Sequence, residues 1–266
     1  MLFQLQTKLK RVVSPLSLLL LSALLSGCIS TSTGIFTEDA SPEKALERRL
    51  SLARQYIGEG NWEAAKRNLE LATEIDPNNP EVYEAFALVY QSTGEYELAE
   101  ENFKKALTQD NKNISRARNN YAAFLYSQER YKDAAKQLEL VVKDTLYTER
   151  PNAYVNLGLC QLKLFETEAA EASFVRALAM DRTNQLALVE AAQIRFDAGD
   201  YATANQYYAT YRTVARQQSA RGLLLGIRLA QVEGDRDSEA SYALALGSRF
   251  PKSAEYQAYQ RTVKSE

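Results

Sequence analysis

The chain has 266 residues, 45% of them hydrophobic and 25% charged, with a formal charge of -2 and no histidine. That composition fits one large folded domain or one continuous repeat array and excludes a disordered chain. The near-neutral balance gives no electrostatic reason to expect nucleic acid, and the missing histidine rules out Ser-His-Asp, Cys-His and zinc-hydrolase mechanisms in their usual forms. No catalytic residue, cofactor, metal site or small-molecule substrate is expected.

Residues 1–27 hold Lys8, Lys10 and Arg11 but no acid, followed by an apolar run from Val12 to Leu25 that Ser14-Pro15 interrupts. A basic start and a short apolar core are the parts of an export signal, and the run is too short to span a bilayer. Leu25-Ser26-Gly27-Cys28 resembles the lipobox of bacterial lipoproteins. The resemblance implies cleavage before Cys28 and acylation of its thiol, palmitate included, giving attachment to a membrane through an N-terminal lipid. Ile29 stands where an Asp would favour the inner membrane, so the sorting pattern implies the periplasmic face of the outer membrane of a Gram-negative cell. Residues 28–42 are small, polar and aperiodic, the composition of a flexible tether. With Cys28 acylated, Cys160 in L-G-L-C-Q-L has no disulfide partner and reads as a buried small hydrophobe.

From residue 43 onwards a period of about 34 residues dominates. Trp62, Ala65, Leu69 and Ala72 recur as Tyr96, Ala99, Phe103 and Ala106, the large-small spacing of the second helix of a tetratricopeptide repeat. Small residues let the two helices of a hairpin approach, large ones fill the gap to the next, and Gly60 and Gly94 mark the reversals. Six repeats are predicted, at 46–79, 80–113, 115–148, 151–184, 185–218 and 220–251. The sixth is degenerate, with Ala240 and Leu244 as its second-helix packing residues. A last helix from Lys252 to about Val263 covers the open end, as a solenoid requires. The expectation is an all-α, right-handed superhelical tetratricopeptide-repeat solenoid over residues 43–264, with about six helical hairpins plus a C-terminal capping helix. Acids such as Glu97, Glu100 and Glu101 read as solvent-facing.

In such an array the first helices of the hairpins line the concave face. Their inward positions read Leu50, Arg54, Ile57, Leu88, Asn119, Tyr126, Val155, Leu159, Leu162, Leu186, Val189, Gln193 and Phe196, then Leu224 and Arg228. Most are apolar, and the Lys/Asn/Arg clamp that grips a terminal carboxylate is missing. A channel of this kind suits an amphipathic helix or an extended apolar segment of another protein. Packing between neighbouring repeats is the alternative for any one of them.

Four stretches go beyond repeat consensus: Asn119 to Tyr126 (N-N-Y-A-A-F-L-Y), Asp144 to Arg150 (D-T-L-Y-T-E-R), Asn156 to Leu159 (N-L-G-L), and Leu223 to Ala230 (L-L-L-G-I-R-L-A) with Asp235-Arg236-Asp237. Together with the lipobox they resemble the pilotin lipoproteins of type IV pilus biogenesis, the PilF/PilW/Tgl group, over nearly the whole mature chain. The resemblance implies an outer-membrane lipoprotein that binds subunits of the pilus secretin and promotes their localisation and multimerisation. On this reading, hairpin packing does not demand D-T-L-Y-x-E-R or L-L-L-G-I-R-L-A. The polar loop residues Asp144, Tyr147, Glu149 and Arg150 fit a partner contact or a self-paired lid over the third repeat. A periplasmic scaffold lipoprotein for barrel assembly or cell-wall hydrolases is the alternative that lipobox and repeats alone would also allow.

Overall fold

The structure is a computed structural model that describes residues 41–108 and 114–264. The export signal, Cys28 and the predicted tether up to residue 40 lie outside the described residues. The described residues from Ala45 onwards belong to one compact unit. Among the described residues there are thirteen α-helices and no strand. They form six hairpins: α1 Pro42–Gly58 with α2 Trp62–Ile75, α3 Pro80–Thr93 with α4 Tyr96–Thr108, α5 Ile114–Ser127 with α6 Tyr131–Val141, α7 Arg150–Lys163 with α8 Thr167–Met180, α9 Gln185–Asp197 with α10 Tyr201–Val214, and α11 Ala220–Glu233 with α12 Arg236–Arg249. A thirteenth helix, α13 Ala254–Lys264, packs on α11. The fold is therefore the all-α repeat solenoid expected from the period.

Short polar side chains start many of these helices by accepting the first free amides. Asn61, Asp200 and Asp235 do so for α2, α10 and α12, and Asn79, Asn184 and Ser219 for α3, α9 and α11. The reversals inside the hairpins are more uniform still. In all six, the residue opening the second helix donates its backbone N–H to the carbonyl five residues earlier at 2.9 Å: Asn61 to Tyr56, Glu95 to Tyr90, Arg130 to Leu125, Glu166 to Gln161, Asp200 to Arg195 and Asp235 to Ala230. This bond needs a left-handed residue just before the donor. Gly60, Gly94, Gly199 and Gly234 supply it without a steric penalty, but Glu129 (φ 59°) and Phe165 (φ 63°) occupy the same position. Phe165 is also 92% exposed, so nothing in the fold rewards its ring. Left-handed backbone costs a side-chain-bearing residue about 1–2 kcal/mol, partly offset by the entropy a glycine loses on folding. Phe165→Gly is thus expected to stabilise the chain by about 0.5–1 kcal/mol, read as a raised urea midpoint at unchanged slope.

The core repeats with the hairpins. Ala65, Ala99, Ala134, Ala170 and Ala204 have no exposed surface and let the paired helices touch, while Leu69, Phe103, Leu138, Phe174 and Tyr208 fill the gaps beside them. The sixth hairpin departs from the predicted assignment. Ala240 is exposed and Leu244 is 74% exposed, so they face solvent, and Leu246 is the buried residue of α12. The reason is the end of the array: α13 brings Tyr256 and Tyr259 onto Leu223, Ile227 and Leu246, drawing the packing face of α12 toward the cap. Glu100 also differs from its solvent-facing assignment. Burial opposes its charge, but hydrogen bonds from Arg130, Lys104 and Tyr121 prevail and hold its carboxyl at about 2. Glu97 and Glu101 are exposed.

Candidate partner-binding face

First helices of successive hairpins approach one another (α3 with α5, α5 with α7, α9 with α11), whereas second helices meet mainly the next hairpin's first helix. The first helices therefore line the inner side of the curve. The predicted groove residues divide into three groups on this face. Leu50, Val155 and Val189 are 6%, 4% and 2% exposed and lie in the cores between helices, so they are corrected from groove to core. Their inward positions coincide with the seam where hairpins stack, and burial of an aliphatic side chain there wins over exposure. Ile57, Leu88, Tyr126, Leu159, Leu162 and Leu224 are half-buried, packed against the core on one side and open on the other. Leu186 is 45% exposed, and Phe196 lies 4.3 Å beneath the guanidinium of Arg228.

Polar side chains on these helices stitch one hairpin to the next, a feature the channel reading from sequence missed. Arg54 pairs with Glu81. Arg116 clasps Glu84 through Nε at 3.0 Å and Nη2 at 2.6 Å, and reaches Glu81 at 3.3 Å. Asn120 donates to the same Glu84 carboxylate at 2.8 Å. Asn156 donates to Asn119 at 3.1 Å, and Asn184 to Asn152 at 3.1 Å. Arg221 donates to Glu190 at 2.6 Å, and Arg228 to Asp197 at 3.1 Å, while Gln193 also bonds Asp197. The Glu84 and Glu190 carboxylates are almost wholly buried, so their charge is tolerable only because a guanidinium meets each of them. The partners that join one hairpin to the next lie 27–37 residues apart in the chain, so no local pattern reveals them.

One small enclosed pocket of about 100 Å³ opens on this face between α5 and α7. Ala122, Ala123, Tyr126, Leu159 and Cys160 wall it, Leu138 of α6 closes the bottom, and Asn156 stands at the rim. Cys160 is 1% exposed, and burial pushes its thiol up to about 12, so it serves as apolar wall and not as nucleophile. A wider cleft of about 420 Å³ follows along the face, beginning at Leu162 and bounded by Glu168, Glu190, Gln193 and Arg221. Leu159 and Leu162 are one turn apart on α7 and connect the two openings.

The long loop before α7 turns its polar groups inward. Asp144 accepts from the Ser115 hydroxyl at 2.5 Å and from the Leu146 amide at 3.0 Å, which keeps its carboxyl below the ordinary range. Arg150 donates to the Val142 carbonyl at 2.7 Å and lies over the Tyr154 ring, and Glu149 accepts from Asn152 at 2.7 Å. Tyr147 is half-buried against the core of the third hairpin. The polar groups of this loop are thus paired within the chain, and Leu146 is left 90% exposed at its tip. No group of three or more His, Cys, Asp or Glu side chains among the described residues is placed to hold a metal.

The tetratricopeptide repeat family matches residues 80–113 and 151–184. Over 242 residues the chain is 38% identical to the type IV pilus assembly protein PilF of Pseudomonas aeruginosa, covering 91% of this chain and 95% of that one. The solved structure of Pseudomonas aeruginosa PilF superposes with a TM-score of 0.78 at 39% identity, over 83% of this chain and 99% of that one. PilW, described as a widely conserved type IV pilus biogenesis factor, superposes with a TM-score of 0.68 at 26% identity, over 82% and 99%. Two repeat matches and a likeness spanning almost the full length of PilF lead to one conclusion: the chain belongs to the PilF family of tetratricopeptide-repeat proteins of type IV pilus assembly.

Proposed function

We propose that the protein is a lipid-anchored pilotin that binds subunits of the type IV pilus secretin on the inner face of its solenoid and promotes their localisation and multimerisation in the outer membrane. The observation that carries this reading is the match to PilF, a type IV pilus assembly protein, over 95% of that protein's length. The α5/α7 pocket and the half-buried Tyr126, Leu159 and Leu162 support it by offering apolar surface for a protein segment. The mechanism is physical, not chemical. A lipid on Cys28 keeps the solenoid at the outer membrane, which raises the effective concentration of bound secretin where the ring forms. Covering apolar surface on the monomer also suppresses its aggregation.

Deleting the gene and blotting outer-membrane fractions for heat-resistant secretin multimers tests this reading. Loss of multimers and piliation is expected, restored by the wild type but not by Leu159→Glu combined with Phe196→Glu, provided that variant keeps the wild-type thermal midpoint. Cys28→Ser should move the protein from the membrane to the soluble fraction. Normal multimers in the deletion strain would overturn the proposal.

A further inference from the structure

We infer that the rim of the solenoid carrying Leu146 lies on the lipid surface of the membrane, and that the opposite rim, where each hairpin reverses, faces away from it. This inference rests on the lipid anchor at Cys28 proposed above, and not on which protein the inner face binds.

The two rims follow from the hairpins. Each second helix runs back along its first helix, so the reversals inside hairpins gather on one rim and the connections between hairpins on the other. The start of α9 meets the start of α7 through Asn184 and Asn152, and the start of α5 meets the loop before α7 through Ser115 and Asp144. At about 1.5 Å per residue, the 14 residues of α7 hold the rims about 21 Å apart.

Charge distinguishes them. The reversals 58–63, 92–97, 127–132, 163–168, 197–202 and 232–237 hold twelve acids and four bases. The described connections 76–81, 143–150, 181–186, 215–220 and 250–255 hold six acids and five bases. A bilayer containing anionic lipids attracts bases and repels acids, so the connection rim approaches it at the lower electrostatic cost. Around Leu146 and α9 the acids of that rim also turn into the chain. Asp144 accepts from Ser115 and the Leu146 amide, Glu149 from Asn152, and Asp181 from Thr183, while Lys143, Arg182 and Arg216 stand exposed.

The apolar side chains of this rim suit lipid better than protein. Leu146 is 90% exposed, and Leu140, Met180 and Leu186 are exposed at the neighbouring helix ends. They are set singly, with the exposed bases between them. A protein partner needs a continuous, closely packed patch, whereas a fluid bilayer surface closes around each apolar tip separately and leaves lysine and arginine heads at the level of the phosphates. Phe165 is the apolar tip of the opposite rim, but the exposed carboxylates of Glu166 and Glu168 follow it directly and oppose contact with lipid.

The tether makes weak contacts sufficient. The chain enters α1 from its N-terminal end, on the connection rim. The 13 residues from Cys28 to Ser41 reach at most about 45 Å. Within that radius the anchored solenoid meets the bilayer at high effective concentration, so a few apolar tips that would not bind a membrane unaided set its orientation. Helices standing end-on to the bilayer turn the inner face sideways, toward subunits in the same membrane.

The test uses the full-length, lipid-anchored protein in vesicles of phosphatidylethanolamine and phosphatidylglycerol, with a doxyl quencher on the acyl chains of some lipids. A nitrobenzoxadiazole fluorophore is placed on Thr145→Cys or Thr183→Cys of the connection rim, or on Thr167→Cys of the reversal rim, all exposed positions. Cys160 is buried and Cys28 carries the lipid, so the introduced cysteine takes the label. Quenching on the connection rim is expected to exceed that on the reversal rim by about fivefold. Leu146→Glu should lower the quenching of the Thr145→Cys reporter by about threefold, with the protein still on the vesicles and its thermal midpoint unchanged. Equal quenching on the two rims, stronger quenching on the reversal rim, or no response to Leu146→Glu would overturn the inference and leave the pilotin reading standing. A protein that does not float with the vesicles overturns the lipid anchor, and with it both the anchored-pilotin reading and this inference.

Discussion

Gly226→Ala is expected to destabilise the protein by about 2 kcal/mol, although alanine is the better helix former by about 1 kcal/mol. Gly226 lies in α11, where an ideal Cβ would overlap the hydroxyl of Tyr208 and sit 2.8 Å from its ring carbon Cζ. Tyr208 is 3% exposed, donates to Gln218 at 2.8 Å and packs edge-on against Tyr242, so it has nowhere to retreat. Forcing a methyl group into such packing costs about 1–3 kcal/mol or more, which outweighs the propensity gain. Urea unfolding checks the net value, and a double-mutant cycle checks the cause. In the wild-type background Tyr208→Phe should cost about 1 kcal/mol through the lost bond to Gln218. In the Gly226→Ala background it should cost nothing or stabilise, because the offending oxygen is gone.

Arg221→Ala carries the second large expected effect, and its signature is a dependence on pH. Burial raises the carboxyl of Glu190 above its ordinary value, while the charge and hydrogen bond of Arg221 work against that rise. With the guanidinium removed, the folded carboxyl rises further, and the folded state then favours the protonated acid. A carboxyl raised on folding supports stability at low pH and loses that support as pH rises through its folded value. A loss of about 2–3 kcal/mol is expected near pH 8, below the full cost of a broken buried pair because Arg221 is itself 45% exposed. The deficit should shrink toward pH 5. Arg221→Ala with Glu190→Gln should show no such slope, and a pH-independent deficit in the single variant would refute the account.

The repeat architecture was legible because it is periodic. Residues that recur every 34 positions, such as Leu69 and Phe103, meet the same neighbours in every hairpin, so a one-dimensional pattern carries the three-dimensional answer. Two kinds of feature escaped. Contacts between hairpins, such as Glu84 with Arg116, join residues about one period apart and read in sequence as solvated charge. Stretches that exceed repeat consensus also proved to have packing reasons. In L-L-L-G-I-R-L-A, Gly226 makes room for Tyr208, and Gly222 just before the motif does the same for Tyr211, whose ring lies 2.5 Å from an ideal Cβ there. In D-T-L-Y-T-E-R, Asp144 and Arg150 tie the loop to Ser115 and Val142. Of the stretches that carried the resemblance, Asn119 to Tyr126 and Asn156 to Leu159 supply most of the lining of the α5/α7 pocket, and the others build the scaffold around it.

The rungs between first helices differ along the array in a way that bears on ionic strength. Hairpins one to three are joined by Arg54, Glu81, Glu84 and Arg116, and hairpins five and six by Glu190 with Arg221 and Asp197 with Arg228. Across hairpins three to five the rungs are the neutral pairs Asn119–Asn156 and Asn152–Asn184. Dissolved ions screen the attraction between partly exposed charges over about 8–10 Å at physiological concentrations, but have little hold on amide-to-amide bonds. Salt therefore bears more on the first-helix rungs at the two ends of the array than on those in its middle, where the pocket opens.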